Sequence, residues 1–283
     1  MKFFAFLFAF SFLFPGFVHS QENTNKNKFR QLKQEFATPN VYRTASGAPG
    51  HEYWQQKADY KIDVKLDDDK QRIFGEETIT YHNQSPDPLS YIWMQLDQNI
   101  RAKDSDTQKT STSKLSDRVP TYQLQRMIKN DFDGGFKIDF VKDKNGKPLP
   151  YTINKTMMRV DLPEPLQPGK ILQFSVKWWY NINNMMEDRG RSGYEHFEKD
   201  GNNVYTIAQF YPRMCVYNDV EGWQNKQFLG TGEFTLPFGD FEVSITSPAD
   251  HIVGATGILQ NPNAVLTQEQ MDLLKKLKMR KSR

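Results

Sequence analysis

Three features of this 283-residue sequence predict an all-β fold, a β-sandwich of packed antiparallel sheets closed by a short C-terminal helix. Apolar residues recur at every second position in run after run. Proline and glycine punctuate those runs at short intervals. Helical signals are few, and the clearest helical period lies near the end of the chain. Strands at this spacing with so little helix specify two sheets packed face to face.

The elements follow in order. Tyr60, Ile62, Val64 and Leu66 alternate with polar residues, Asp67-Asp68-Asp69-Lys70 supplies a turn, and residues 73–81 run back, which predicts a hairpin with one wet face. The three aspartates read as a solvated turn. Consecutive acids cannot all point inward, and the glycine and terminal glutamate of a calcium loop are missing. Residues 89–96 are rich in aromatic and branched side chains and predict a third strand. Residues 101–120 are polar and predict a loop, with a short helix expected over 122–128. Phe136, Ile138 and Phe140 alternate, and Asn145-Gly146 gives a hairpin-turn signal before Tyr151-Thr152-Ile153. Leu172, Phe174, Val176, Trp178 and Tyr180 form the cleanest strand pattern, and Phe241, Val243 and Ile245 another.

The two ends differ from this body. Met1-Lys2, the apolar stretch 3–17 and Val18-His19-Ser20 have the layout of a secretory leader cleaved before Gln21. The stretch is short for a transmembrane helix, a polar segment follows it, and no cysteine stands there to take a lipid. Export to a periplasmic or extracellular space is expected, with no stable membrane anchor. Residues 21–57 lack apolar periodicity and are expected to be an extended entry segment, followed by a β domain over 58–260. At the other end, Thr267-Gln268-Glu269-Gln270 fits a helix capping box, and Met271, Leu274 and Leu277 recur at helical spacing. Six bases occupy the last nine residues. They read as the solvated face of a helix rather than a polybasic arm.

Charge and cysteine content narrow the function. Loss of residues 1–20 removes Lys2 and lowers the formal charge by one from +3. A nearly neutral chain of this size does not offer a broad nucleic-acid surface. Cys215 is the single cysteine, so an internal disulfide is impossible and a buried, inert thiol is expected.

The residues that bear on chemistry are mostly decoys. His51-Glu52-Tyr53-Trp54-Gln55 begins an H-E-x-x-H pattern and puts glutamine where the second imidazole must stand. Such a site needs two histidines one helical turn apart. The other histidines, His82, His196 and His251, lack metal spacing. Tyr194, His196, Phe197 and Trp223 either line a pocket or pack in the core.

Several blocks resemble, in order, the N-terminal domain of the aminopeptidase N family of gluzincin zinc metallopeptidases, in the diverged form of secreted bacterial members. Ala58-Asp59-Tyr60-Lys61-Ile62-Asp63-Val64 with Gly75-Glu76-Glu77-Thr78-Ile79-Thr80-Tyr81 resembles the opening hairpin, and Tyr91-Ile92-Trp93-Met94-Gln95-Leu96-Asp97-Gln98-Asn99 the next strand. The strongest block runs from Ala208-Gln209-Phe210-Tyr211-Pro212-Arg213 to Tyr217-Asn218-Asp219-Val220-Glu221-Gly222-Trp223. Gly232-Glu233-Phe234, Gly239-Asp240-Phe241-Glu242-Val243, Pro248-Ala249-Asp250 and Gly254-Ala255-Thr256-Gly257 complete it, and residues 261–283 resemble the start of a linker toward a peptidase domain.

The resemblance implies that zinc and the water-activating glutamate belong to a second domain beyond Arg283, so the chain reads as truncated before it. No catalytic and no metal residue is expected here, and no cofactor; zinc is implied for the complete family member, with peptide as its substrate and the missing peptidase domain as partner. Met186-Glu187-Asp188 is a faint likeness of the family's amine-gripping G-x-M-E-N loop, without its glycine and asparagine. Gln209, Arg213 and Asp219 resemble the family's contribution to the substrate-cleft wall, although the spacing is off by about a residue and Pro212 intervenes. Gln209 and Arg213 either face substrate or satisfy sheet-edge and interdomain hydrogen bonds. The alternative for the whole chain is a self-contained secreted β-sandwich that binds peptide or glycan.

Overall fold

The computed structural model describes residues 39–106, 118–121, 132–187, 191–230, 232 and 235–281, with the side chains of 278–281 left aside. The leader-like residues 1–20, the helix expected at 122–128 and Asp188 lie outside them. The chain divides into two units, Met1–Trp54 and Gln55–Arg283. In the first, Asn40 Oδ1 accepts the backbone N–H of Tyr42 (2.8 Å) and Arg43 (2.9 Å), and the Arg43 guanidinium lies 5.2 Å over the Tyr53 ring.

The second unit is all-β. β1 (Lys57–Asp67) and β2 (Arg72–His82) form the expected hairpin in unbroken register. β3 (Leu89–Gln95) leads into a 3-10 turn (Asp97–Arg101). β4 (Lys137–Asp143), β5 (Tyr151–Asn154), β6 (Met157–Leu166) and β7 (Ile171–Asn181) follow. β8 (Gly193–Phe197) pairs with β9 (Asn202–Thr206). Short strands β10 (Arg213–Met214), β11 (Tyr217–Asn218) and β12 (Gly222–Trp223) precede β13 (Phe241–Thr246). Helices α1 (Pro262–Val265) and α2 (Gln268–Lys281) end it. The predicted capping box is formed: Thr267 Oγ1 accepts the Gln270 N–H at 3.3 Å, and Gln270 Oε1 accepts the Thr267 N–H at 2.8 Å.

A five-stranded sheet in the order β13-β1-β2-β7-β4 faces a four-stranded sheet β10-β3-β6-β5. One buried cluster draws on both: Ile62, Ile79, Phe174 and Trp178 from the first, Ile92, Met94, Met158 and Met214 from the second. Gly75 makes the closest approach possible, since a Cβ there would lie 2.2 Å from the Trp178 ring.

Two findings depart from the sequence reading. The Asn145-Gly146 turn forms, with Asp143 Oδ1 accepting the N–H of Asn145 and Lys147 at 2.9 Å each. The strands it joins, however, separate: β4 pairs with β7 in one sheet and β5 with β6 in the other. Turn chemistry is local, whereas sheet membership follows from which face each strand buries. The second departure is β13, which pairs with β1 in parallel within an otherwise antiparallel architecture.

The register of that pair has a consequence. Tyr60, Ile62 and Val64 stand opposite Phe241, Val243 and Ile245, so all six side chains share the inner face. Exposure is 5%, 0% and 7% on β1 but 51%, 41% and 44% on β13. The apolar core face thus runs on past its cover at this edge.

Candidate functional site

The three cleft candidates occupy two elements. Gln209 and Arg213 flank the entry to β10; Asp219 lies in the turn of the separate β11–β12 hairpin, half-buried. In that turn Asn218 Oδ1 accepts the N–H of Val220 (3.1 Å) and Glu221 (3.0 Å).

Arg213 is committed inward. Its Nη2 lies 2.5 Å from Asp97 Oδ2, and the Asp97 side chain is almost wholly buried. Gln95 Nε2 donates to the other carboxylate oxygen at 2.5 Å. Burial pushes the Asp97 carboxyl above its ordinary range, and the Arg213 guanidinium works against that rise. Next along the strand, the Met214 N–H donates to the Tyr60 hydroxyl at 2.9 Å and ties β10 to the opposite sheet. Arg213 thus makes an ion pair within the β unit, to Asp97.

Gln209 is held differently. Its φ of 53° places a non-glycine residue in the left-handed region, a conformation that persists only where surroundings enforce it. The enforcing group is Gln98. From a buried position it donates Nε2 to the carbonyl oxygens of Ala208 (3.0 Å) and Gln209 (3.1 Å). Arg101 Nη1 in turn donates to Gln98 Oε1 at 3.3 Å, and the Ala208 N–H donates to Ser192 Oγ at 3.2 Å. Asp97 and Gln98, neighbours in one 3-10 turn, thus fix Arg213 and Gln209 respectively. Neither was singled out from the sequence, although both belong to the block 91–99 on which the resemblance rests. Gln209 is half-buried on a strained, clamped backbone.

The decoys are placed plainly. His51 and Glu52 sit in an exposed turn, 3.9 Å apart and off any helix. Met186 and Glu187 form a turn in which Asn184 accepts both backbone N–H groups. Among the described residues no group of three His, Cys, Asp or Glu could hold a metal ion. The two histidines and glutamate of a gluzincin site are not brought together among the described residues. His82 contacts Asp59 at 3.0 Å, within a network in which Lys57 reaches both Asp59 (3.0 Å) and Asp240 (2.9 Å). That network pins the entry of β13. His196 pairs with Asn203 at 2.8 Å, and Trp223 packs on Tyr81 and Tyr217. Cys215 is buried, and burial pushes its thiol up to about 12. It is inert near neutral pH.

No protein-family model matches the chain, and no curated protein matches it. Solved structures do. An M1 zinc metallopeptidase from Deinococcus radiodurans, in a mutant form bound to a Tyr-Ser-Ala substrate, is 16% identical at a TM-score of 0.38, covering 73% of this chain and 36% of that one. The M1 zinc metallopeptidase of the same organism without the substitution is 14% identical at a TM-score of 0.38. A two-domain M1 zinc metallopeptidase bound to L-tryptophan is 16% identical at 0.37, covering 75% and 37%. The chain spans little more than a third of the length of these proteins, and the likenesses assign no residue role.

Proposed function

We propose that this chain is the non-catalytic N-terminal β-domain of a secreted, zinc-dependent aminopeptidase-like metallopeptidase. In the complete protein it supports the peptidase domain and contributes one wall of a peptide cleft, with Gln209 as the wall residue. Zinc and the hydrolysis of peptide bonds belong to the partner domain, and residues 261–283 begin the linker to it. The leader-like residues 1–20 support export.

The observation that carries this reading is the uncovered inner face of β13. An apolar stripe continuous with a core is the mark of a surface built to be covered. Phe238, Ile252 and Val253, near β13 in sequence, are exposed as well. The ordered sequence blocks quoted above supply the identity of the partner.

The test uses the chain as it is. It is expected to bind an apolar dye and self-associate, to hold no stoichiometric zinc, and to release nothing from aminoacyl or peptide substrates. One zinc per chain by elemental analysis, with activity lost on chelation, overturns the proposal. A monodisperse, dye-silent monomer that retains peptide or glycan on a column points instead to the self-contained binding module.

A further inference from the structure

Among the described residues the core holds a buried acid with no hydrogen-bond partner, Glu77. Glu77 lies on the inner face of β2, between Gly75 and Ile79, with Ile62 of β1 and Val176 of β7 opposite it in register. It is 1% exposed, and neither carboxylate oxygen has a hydrogen-bond partner. Among the described residues no cation bonds to it. Tyr60 of β1 and Tyr211, which precedes β10, both feel its field, and burial holds both phenols in the neutral form, that of Tyr211 up to about 12. Tyr180, further along the inner face of β7, is likewise raised by burial. Arg213 of β10 directs Nη2 at Asp97; its buried Nε has no hydrogen-bond partner and does not bond to Glu77. On the outer face, Glu76 stands opposite Lys177 with the sheet between them and Glu77. An ionised carboxylate in this position would be buried and unpaired, among the most unfavourable states a core can hold.

We propose that Glu77 is a proton-operated stability switch: the sandwich accommodates it only as the neutral acid, and deprotonating conditions work against the fold. Burial holds its carboxyl well above the ordinary carboxylate range. The sign follows from linkage. At a pH above the ordinary glutamate value the unfolded chain releases this proton while the folded chain keeps it. Stability therefore falls as pH rises, until Glu77 ionises within the fold. The strand that pairs directly with β1, the anchor of the uncovered β13, thus carries an alkaline-sensitive element.

The experiment compares urea unfolding of the chain with its Glu77→Leu and Glu77→Gln variants from about pH 5 to about pH 9, the span above the ordinary glutamate value. The ratio of wild-type to Glu77→Leu unfolding constants is expected to rise by up to about tenfold per pH unit, the signature of one retained proton. Parallel curves overturn the proposal. Should neither variant fold, infrared spectroscopy of the wild type with carbon-13-labelled glutamate decides. A labelled carboxylic-acid band at neutral pH supports the proposal, and carboxylate bands alone overturn it.

Discussion

Asp97 and Arg213 show how a residue's role is set by what it can reach. A carboxylate so deeply buried is tolerable only against a guanidinium, and a guanidinium so placed only against a carboxylate. Removing one partner strands the other. Asp97→Ala is expected to lose about 3–5 kcal/mol of stability, whereas replacing both partners with apolar residues of similar volume recovers most of it. Urea midpoints of the single and double variants measure the difference; equal losses would place the energy elsewhere. This pairing was not legible in the sequence. Nothing local marks Asp97 as the partner of a residue on another strand, and nothing marks Gln209 as left-handed, because the clamp from Gln98 exists only once the chain has folded.

At the scale of the element, alternation made β1, β2 and β7 legible, since one face of each meets the core and the other meets water. β6 was missed for an equally physical reason. Pro163 and Pro165 argue against a strand, yet they fall where the β3–β6 register shifts between Leu89 and Tyr91, so no ladder N–H is asked of them. The β13 pattern was legible as a strand but not as a parallel edge with its apolar side bare. That difference is measurable. Ile62→Ala, at a fully buried position, is expected to lose about 2–5 kcal/mol. Val243→Ser, directly opposite in register, should alter stability by under about 1 kcal/mol, near the range of exposed sites, while lowering dye binding. Calorimetry and dye fluorescence on the two variants separate them; a large loss at Val243 would mean that the stripe is covered.

For the whole molecule, titrating groups act in opposition. The Tyr205 hydroxyl holds the Asp68 carboxyl below its ordinary range; burial opposes it, and Asn203 and His251 assist. Burial pushes Asp59 and Asp133 upward but is outweighed, at Asp59 by the Asp240 N–H, Lys57 and His82, and at Asp133 chiefly by Lys137. A depressed folded value contributes stability above the ordinary carboxylate pKa of about 4, and that contribution is lost as pH falls through the folded values. Glu77 contributes the opposite slope on the alkaline side. A stability maximum in mildly acidic solution is expected, read as the urea midpoint against pH, with Asp68→Asn flattening the acid limb alone. An acid limb unchanged by Asp68→Asn would show that the Tyr205–Asp68 contact contributes nothing.

The parallel pairing of β13 also bears on how the molecule assembles in time. β1 meets β2 across one tight turn, but the Lys57–Asp240 contact that seats β13 spans 183 residues of chain. Closing so long a loop delays the contact and leaves the hairpin to form first. During synthesis the outer edge of β1 must wait, unpaired, until residues 241–246 have emerged. Amide exchange should follow that order, with β13 opening well before β2 and β7.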